Sequence, residues 1–134
     1  MGKTRARSAT STVTLDAGAL IALDKGSPKM IALLQLAVRK NAKFHVPAAV
    51  VGQAWRDGSR QVSVARFLRT PEVAVHSLDG EAAKACGELC GAAGTRDVID
   101  ASVVLLARET KSLVLTSDPD DLLRLDPNLE WERV

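Results

Sequence analysis

Four short acidic stretches stand out by residue type and spacing: Thr14-Leu15-Asp16-Ala17, Arg96-Asp97-Val98-Ile99-Asp100-Ala101, Thr116-Ser117-Asp118, and the Asp120-Asp121 pair that follows. Asp16 ends a short apolar run from Val13, and Asp118 comes just after another, Leu113-Val114-Leu115-Thr116. If both runs are strands of one parallel sheet, their ends bring these carboxylates into the crevice where open α/β sheets bind ligands. Several carboxylates cannot sit together ionised unless something positive neutralises them. A hard divalent cation with oxygen ligands, Mg²⁺ or Mn²⁺, is the natural candidate. The pattern therefore points to metal-dependent phosphoryl chemistry.

Each carboxylate also has a plainer explanation. Asp97 and Asp100 stand three apart at the start of a helix and project from nearly the same face. Capping and dipole compensation account well for one Asp there and less well for two. The helix is apolar almost all round, with Val98, Ile99, Val103, Val104, Leu105 and Leu106, so an Asp on it needs a partner or a metal. Asp118 could cap the next helix, but Asp120 and Asp121 are equally good caps, which frees Asp118 for another role. Thr116 and Ser117 add hydroxyls that could orient a carboxylate or a water.

The elements that must position these groups follow from the apolar periods and the breakers between them. Strands are expected at Val13 to Asp16, Phe44 to Val46, Val73 to His76, Leu113 to Thr116 and Glu130 to Arg133. Helices are expected from Gly18 to Asp24 and from Pro28 to about Lys40, the second with Ser27 as its cap and Ile31, Leu34 and Val38 on one face. Pro47 opens a helix running through Trp55 until Gly58 breaks it, and another spans Arg60 to Leu68. Ser77-Leu78-Asp79 leads into an Ala-rich helix reaching Ala92, and Gly94-Thr95 turns into the helix of Asp97 to Glu109. Asp120 to Leu125 forms a short helix. Alternation of this kind specifies one three-layer α/β/α domain over residues 12–134, with a central parallel sheet of four to five strands. Residues 1–11 read as a flexible basic tail.

With 134 residues, 46% apolar and 25% charged, the chain has the composition of a soluble globular protein with room for a core. No apolar run approaches the ~20 residues that span a bilayer, and no apolar stretch backs the charged N-terminus, so neither a membrane span nor a secretory signal is expected. Cytoplasmic residence is the expectation. Cys86 and Cys90, four apart on a helix and with histidines only at 45 and 76, make a poor zinc site. They read as small buried apolar residues. The net charge of +2 is too small to argue for nucleic acid. Its distribution says more, since Arg5, Arg7, Arg56, Arg60, Arg66 and Arg69 lie in the first half and the acidic motifs dominate the second. Beside a carboxylate site, such a rim resembles a polyanion track.

Leu15-Asp16-Ala17-Gly18-Ala19-Leu20, Val46-Pro47 opening a helix, Asp100-Ala101 within an apolar helix, and Thr116-Ser117-Asp118 after a strand occur in the order and spacing of one family. From about Val13 to Val134 the chain resembles the PIN-domain family, particularly the VapC-like toxin ribonucleases of toxin–antitoxin pairs. The resemblance implies a Mg²⁺- or Mn²⁺-dependent endoribonuclease. Asp16, Asp100 and Asp118 would hold the metal, and Asp97 would serve as a further ligand or water-orienting base. Water as nucleophile would leave a 5′-phosphate and a 3′-hydroxyl. It further implies a small cognate antitoxin and a homodimer. Thr116, Ser117 and Asp120 would support the metal ligands. Arg56, Arg60 and Arg96 are candidates for RNA phosphate contacts, and Trp55 for base stacking or, with slightly better grounds, packing.

The chain departs from the family at one point. Where the family carries Glu on the helix after the Val-Pro strand, this sequence has Gln53, which offers a carbonyl oxygen but no charge. Asp97 could restore the charge, and Asp57, four residues on, is a weaker substitute. An alternative class is therefore a PIN-fold nucleic-acid-binding or interaction module with weakened catalysis. A phosphorylatable receiver domain ranks last, since Lys111 precedes the fourth strand and no suitable Lys follows Leu115.

Overall fold

A computed structural model describes residues 11–134; the expected basic tail, but for Ser11, lies outside the described residues, as do Arg5 and Arg7. The described elements are β1 (Thr12–Leu15), α1 (Ala17–Asp24), α2 (Pro28–Arg39), β2 (Lys43–Pro47), α3 (Ala48–Ala54), α4 (Val62–Leu68), β3 (Val73–His76), α5 (Gly80–Ala93), α6 (Val98–Thr110), β4 (Leu113–Thr116), α7 (Pro119–Leu125) and β5 (Trp131–Arg133). The strands form one sheet in the order β3-β2-β1-β4-β5, and every pairing is parallel. Parallel neighbours need crossover connections, which here are helices lying on both faces. The expected three-layer α/β/α arrangement results.

Strand order decides where a ligand can sit. The chain steps outward from β1 to β2 to β3, then returns through α5 and α6 to lay β4 against the other side of β1. The crossovers therefore diverge above the carboxyl ends of β1 and β4, which is the switch point where such sheets open a crevice. Both strands are short runs of β-branched and aliphatic residues, and Leu15, Val114 and Leu115 are buried. Leu15 pairs with Leu115, which sets the residues after each strand side by side.

Helices cover both faces of the sheet, and one of them, α6, forms a wall of the crevice through Ile99, Asp100 and Val103. On α6, Ala101, Val103, Val104 and Ala107 are buried with Ser102 and Leu106, as its continuous apolar run requires. Each Val or Leu removed from water stabilises the packing by about 1.5–3 kcal/mol, so a charge at Val103 would release this helix from the sheet. On the opposite face, α2 is capped by Ser27, whose hydroxyl accepts from Met30 N at 3.2 Å, and Pro28 sits at its first turn. The face of α2 turned inward differs from the expected one: Met30 is wholly buried, while Ile31 and Val38 remain exposed.

The helix after β2 ends earlier than its sequence pattern suggests. It stops at Ala54, and Trp55 is extended at φ −81°, ψ 131°. The cause is the buried Gln61 side chain. Its Oε1 accepts from Arg56 N at 2.7 Å and Asp57 N at 2.9 Å, and its Nε2 donates to the Ala54 carbonyl at 2.9 Å. These bonds satisfy groups that helix continuation would otherwise serve. Gly58 therefore does not break the helix; its bare Cα admits the Trp55 ring, which a Cβ would meet at 2.6 Å. Asp57, past the helix end, turns to Ser59 instead, accepting from its N at 3.0 Å and Oγ at 2.7 Å. Cys86 and Cys90 are free and buried, as their sequence context implied. No helix among the described residues is long and apolar enough to cross a membrane.

Candidate active site

Asp16 follows β1 and caps α1. Its backbone is extended, and its Oδ1 accepts from Ala19 N at 2.9 Å. The Gly18 N–H and the Thr116 hydroxyl also bond this carboxylate. Only 8% of the residue is exposed, so the carboxylate is held in a fixed place. Thr116, the last residue of β4, uses the same hydroxyl to accept from Asp118 N at 3.0 Å. One threonine thus links the two strand-end aspartates.

Asp118 occupies the N-cap position of α7 without capping it through its side chain. The carboxylate is exposed and meets the Asp121 carboxyl beside it. Ser117, beside it, sits over Gly18: a Cβ there would lie 1.9 Å from Ser117 Oγ and 2.9 Å from its Cβ. Gly18 is therefore the residue that lets the start of α1 and the β4–α7 loop close on one another. Across the crevice, Asp97 caps α6, its Oδ1 accepting from Asp100 N at 2.9 Å. The capping explanation of Asp97 is correct as far as it goes. Asp100 lies in the first turn and faces the same space.

These groups converge on a cleft of about 270 Å³, lined by Asp16, Gly18, Ile21, Gln53, Asp97, Asp100, Ser117, Asp118 and Asp121 with Ala17, Ile99 and Val103. All four aspartates singled out by sequence are there, and so is Gln53. Asp121 lines the cleft where Asp120 was expected to contribute. Consecutive helical residues point about 100° apart, and the start of α7 at Pro119 turns Asp121 inward. The expected arginines stand elsewhere. Arg56 folds back to donate to the Gly52 and Trp55 carbonyls at 3.2 and 2.7 Å, Arg60 pairs with Asp57 at 4.0 Å, and Arg96 is exposed outside the lining.

The electrostatics match a cluster of like charges. The Asp100 carboxyl is pushed up to about 7, first by burial and then by Asp97, Asp121 and Asp16. Burial also raises Asp16, with a contribution from Asp118 and against its own hydrogen bonds. Asp121 is raised, chiefly by the neighbouring Asp118 charge. Five carboxylates thus share one cleft whose lining, among the described residues, contains no lysine, arginine or histidine. Oxygen donors without nitrogen or sulfur suit a hard divalent cation. Among the described residues, no three acidic, histidine or cysteine side chains are already drawn together to hold an ion. Three of the five, Asp97, Asp118 and Asp121, are exposed.

The PIN domain family model matches residues 13–126, which contain the whole cleft. The chain belongs to the PIN-domain family. PIN domains are generally nucleases, and a crevice of carboxylates is the equipment such hydrolysis of nucleic acid requires. The fold is shared with solved structures of low sequence identity. A chain of VapBC2 from Rickettsia felis, bound to a DNA fragment from its promoter, is 17% identical with a TM-score of 0.66, over 92% of this chain and 98% of that one. A chain of FitAB bound to the IR36 DNA fragment is 15% identical with a TM-score of 0.62, over 90% and 94%. A domain of a functionally unknown protein from Methanocaldococcus jannaschii DSM 2661 is 19% identical with a TM-score of 0.55, over 92% and 91%. A sequence search of curated proteins returns no match. In this PIN domain Gln53 forms part of the cleft wall.

Proposed function

We propose that this PIN domain is a Mg²⁺- or Mn²⁺-dependent endoribonuclease, the toxin of a toxin–antitoxin pair, acting on RNA in the cytoplasm. The observation that carries the reading is the set of five carboxylates around one cleft with no cation among its lining. Asp16, Asp100 and Asp118 would hold the ion, with Asp97 and Asp121 as further ligands or as acceptors for the proton of the attacking water. When bound, the ion would neutralise phosphoryl charge and acidify water. Asp16 supplies a rigid, oriented oxygen because three groups grip it: the Ala19 and Gly18 N–H groups and the Thr116 hydroxyl. Asp100, pushed up to about 7 by burial and then by the neighbouring carboxylates, would give up its proton to an incoming cation and become a charged ligand. The fold shared with VapBC2 and FitAB supports a small antitoxin partner, and resemblance to the VapC-like toxins implies a homodimer.

Gln53 favours a second reading, a PIN-fold binding module with weakened catalysis, because it leaves the cleft one carboxylate short of the family pattern. The two part in one assay. Purified protein should cleave RNA with Mg²⁺ or Mn²⁺, leaving 5′-phosphate ends. Asp16→Asn and Asp118→Asn should reduce cleavage by at least ~100-fold while melting near the parent temperature, since asparagine at position 16 still caps a helix and the Asp118 side chain caps none. RNA bound but never cleaved by the parent, in either metal, would establish the second reading.

A further inference from the structure

We propose that Arg133, at the end of the C-terminal strand, is the cation that grips a substrate phosphate beside this cleft; the inference rests on the nuclease reading above. Arg133 pairs in register with Thr116, so it stands level with the residue that links Asp16 and Asp118. Its Nη1 donates to the Ser117 carbonyl at 3.1 Å. That carbonyl belongs to the loop carrying Asp118, and the Ser117 side chain lines the cleft. The guanidinium is therefore tethered at the cleft's edge by a neutral acceptor.

A guanidinium carries five N–H donors and a permanent charge, and one bond to a carbonyl leaves most of both unused. Among the described residues Arg133 takes part in no ion pair, and it stands outside the cleft lining. The tether holds it outside the cluster, where it cannot neutralise the metal ligands but can meet the backbone of a strand entering the cleft. The other candidates are less suited. Arg56 is turned onto its own helix end and Arg60 is paired with Asp57, while Arg96 has no tether to offset the entropy of ordering a long side chain. A pre-positioned fork loses less on binding, and phosphate oxygens accept from it bidentately.

The same geometry could serve merely to hold the loop, so the test must read charge and loop position separately. Arg133→Gln keeps an amide donor for the Ser117 carbonyl and removes the charge, whereas Arg133→Lys keeps the charge and loses the fork. Binding of a labelled single-stranded RNA oligonucleotide is measured by fluorescence anisotropy across a salt series. It is measured in the Asp16→Asn background, which keeps the fold and stops cleavage. Mn²⁺ affinity is measured in the parent background. One phosphate contact contributes about 0.7 to the slope of log affinity against log salt for a single strand. Arg133→Gln should lose about that much slope and weaken binding roughly tenfold at low salt, with Mn²⁺ affinity unchanged within about twofold. Arg133→Lys should keep most of the slope. An Arg133→Gln slope equal to the background's overturns the proposal, and so does a loss of Mn²⁺ affinity with no change of slope. If the parent neither binds RNA in a salt-dependent way nor cleaves it, the nuclease reading falls and this inference with it. If the parent does both and Arg133→Gln changes nothing, only this inference falls.

Discussion

Replacing Asp100 with asparagine should stabilise the metal-free protein at pH 8 and leave it nearly unchanged at pH 4. Burial, then the charges of Asp97, Asp121 and Asp16, push this carboxyl from 3.8 to about 7. A carboxyl whose folded pKa is raised is penalised when ionised. Stability is therefore lost as pH climbs from 3.8 toward 7, and the full penalty stands above that window. Moving a carboxyl that far corresponds to about 4 kcal/mol in the absence of screening. Asp100 is only half-buried and opens onto a wet cleft, so about 2 kcal/mol is the better figure. For a chain of this size that is roughly 6 °C in melting temperature. The assay is thermal and urea unfolding of parent and Asp100→Asn in EDTA at pH 4, 6 and 8, repeated with Mn²⁺. Saturating Mn²⁺ should reverse the ranking at pH 8. An ion at one hundred times its Kd adds about 2.7 kcal/mol to a protein that binds it, and the variant would forfeit most of that. A variant less stable than the parent in EDTA at pH 8, or one whose gain ignores pH, would refute the picture of carboxylates crowded without a counterion.

Gly18→Ala should cut cleavage by ten- to a hundredfold with little change in melting temperature, because a Cβ 1.9 Å from Ser117 Oγ must displace the loop that carries Asp118. Adding Ser117→Gly should recover much of the loss, and failure of that rescue in steady-state assays would dissociate Gly18 from the site. Gln53→Glu should lower the Mg²⁺ concentration for half-maximal cleavage several-fold, as measured by metal titration. Its effect on the metal-free melting temperature should be small, because Gln53 is exposed.

Much of this was legible in the sequence because local rules and tertiary packing agree. Leu113 to Thr116 is a strand at the expected bounds, and Asp97, Ser27 and Asp79 cap their helices as their residue types suggest. The convergence of Asp16 and Asp118 followed from strand-end position, which parallel topology converts directly into proximity, and Asp100 joins them from the first turn of α6. What stayed hidden depended on contacts with no sequence period. The end of α3 is set by Gln61, a side chain seven residues beyond Ala54. Asp121 rather than Asp120 enters the cleft because a one-residue choice of helix start turns the face by about 100°. Apolar spacing on α2 marked a helix but not which of its faces would bury Met30. Arg133 carried no signal at all until the pairing of β5 with β4 set it beside Ser117.

The central claim is that Asp16, Asp100 and Asp118 share a divalent cation, and a crystal of the protein soaked in Mn²⁺ and recorded at the manganese absorption edge tests it most directly. The account predicts one anomalous peak in the cleft, about 2.1 Å from carboxylate oxygens of at least two of the three, and its disappearance in Asp118→Asn. Anomalous density elsewhere, with these carboxylates turned to arginine or lysine partners, would contradict it.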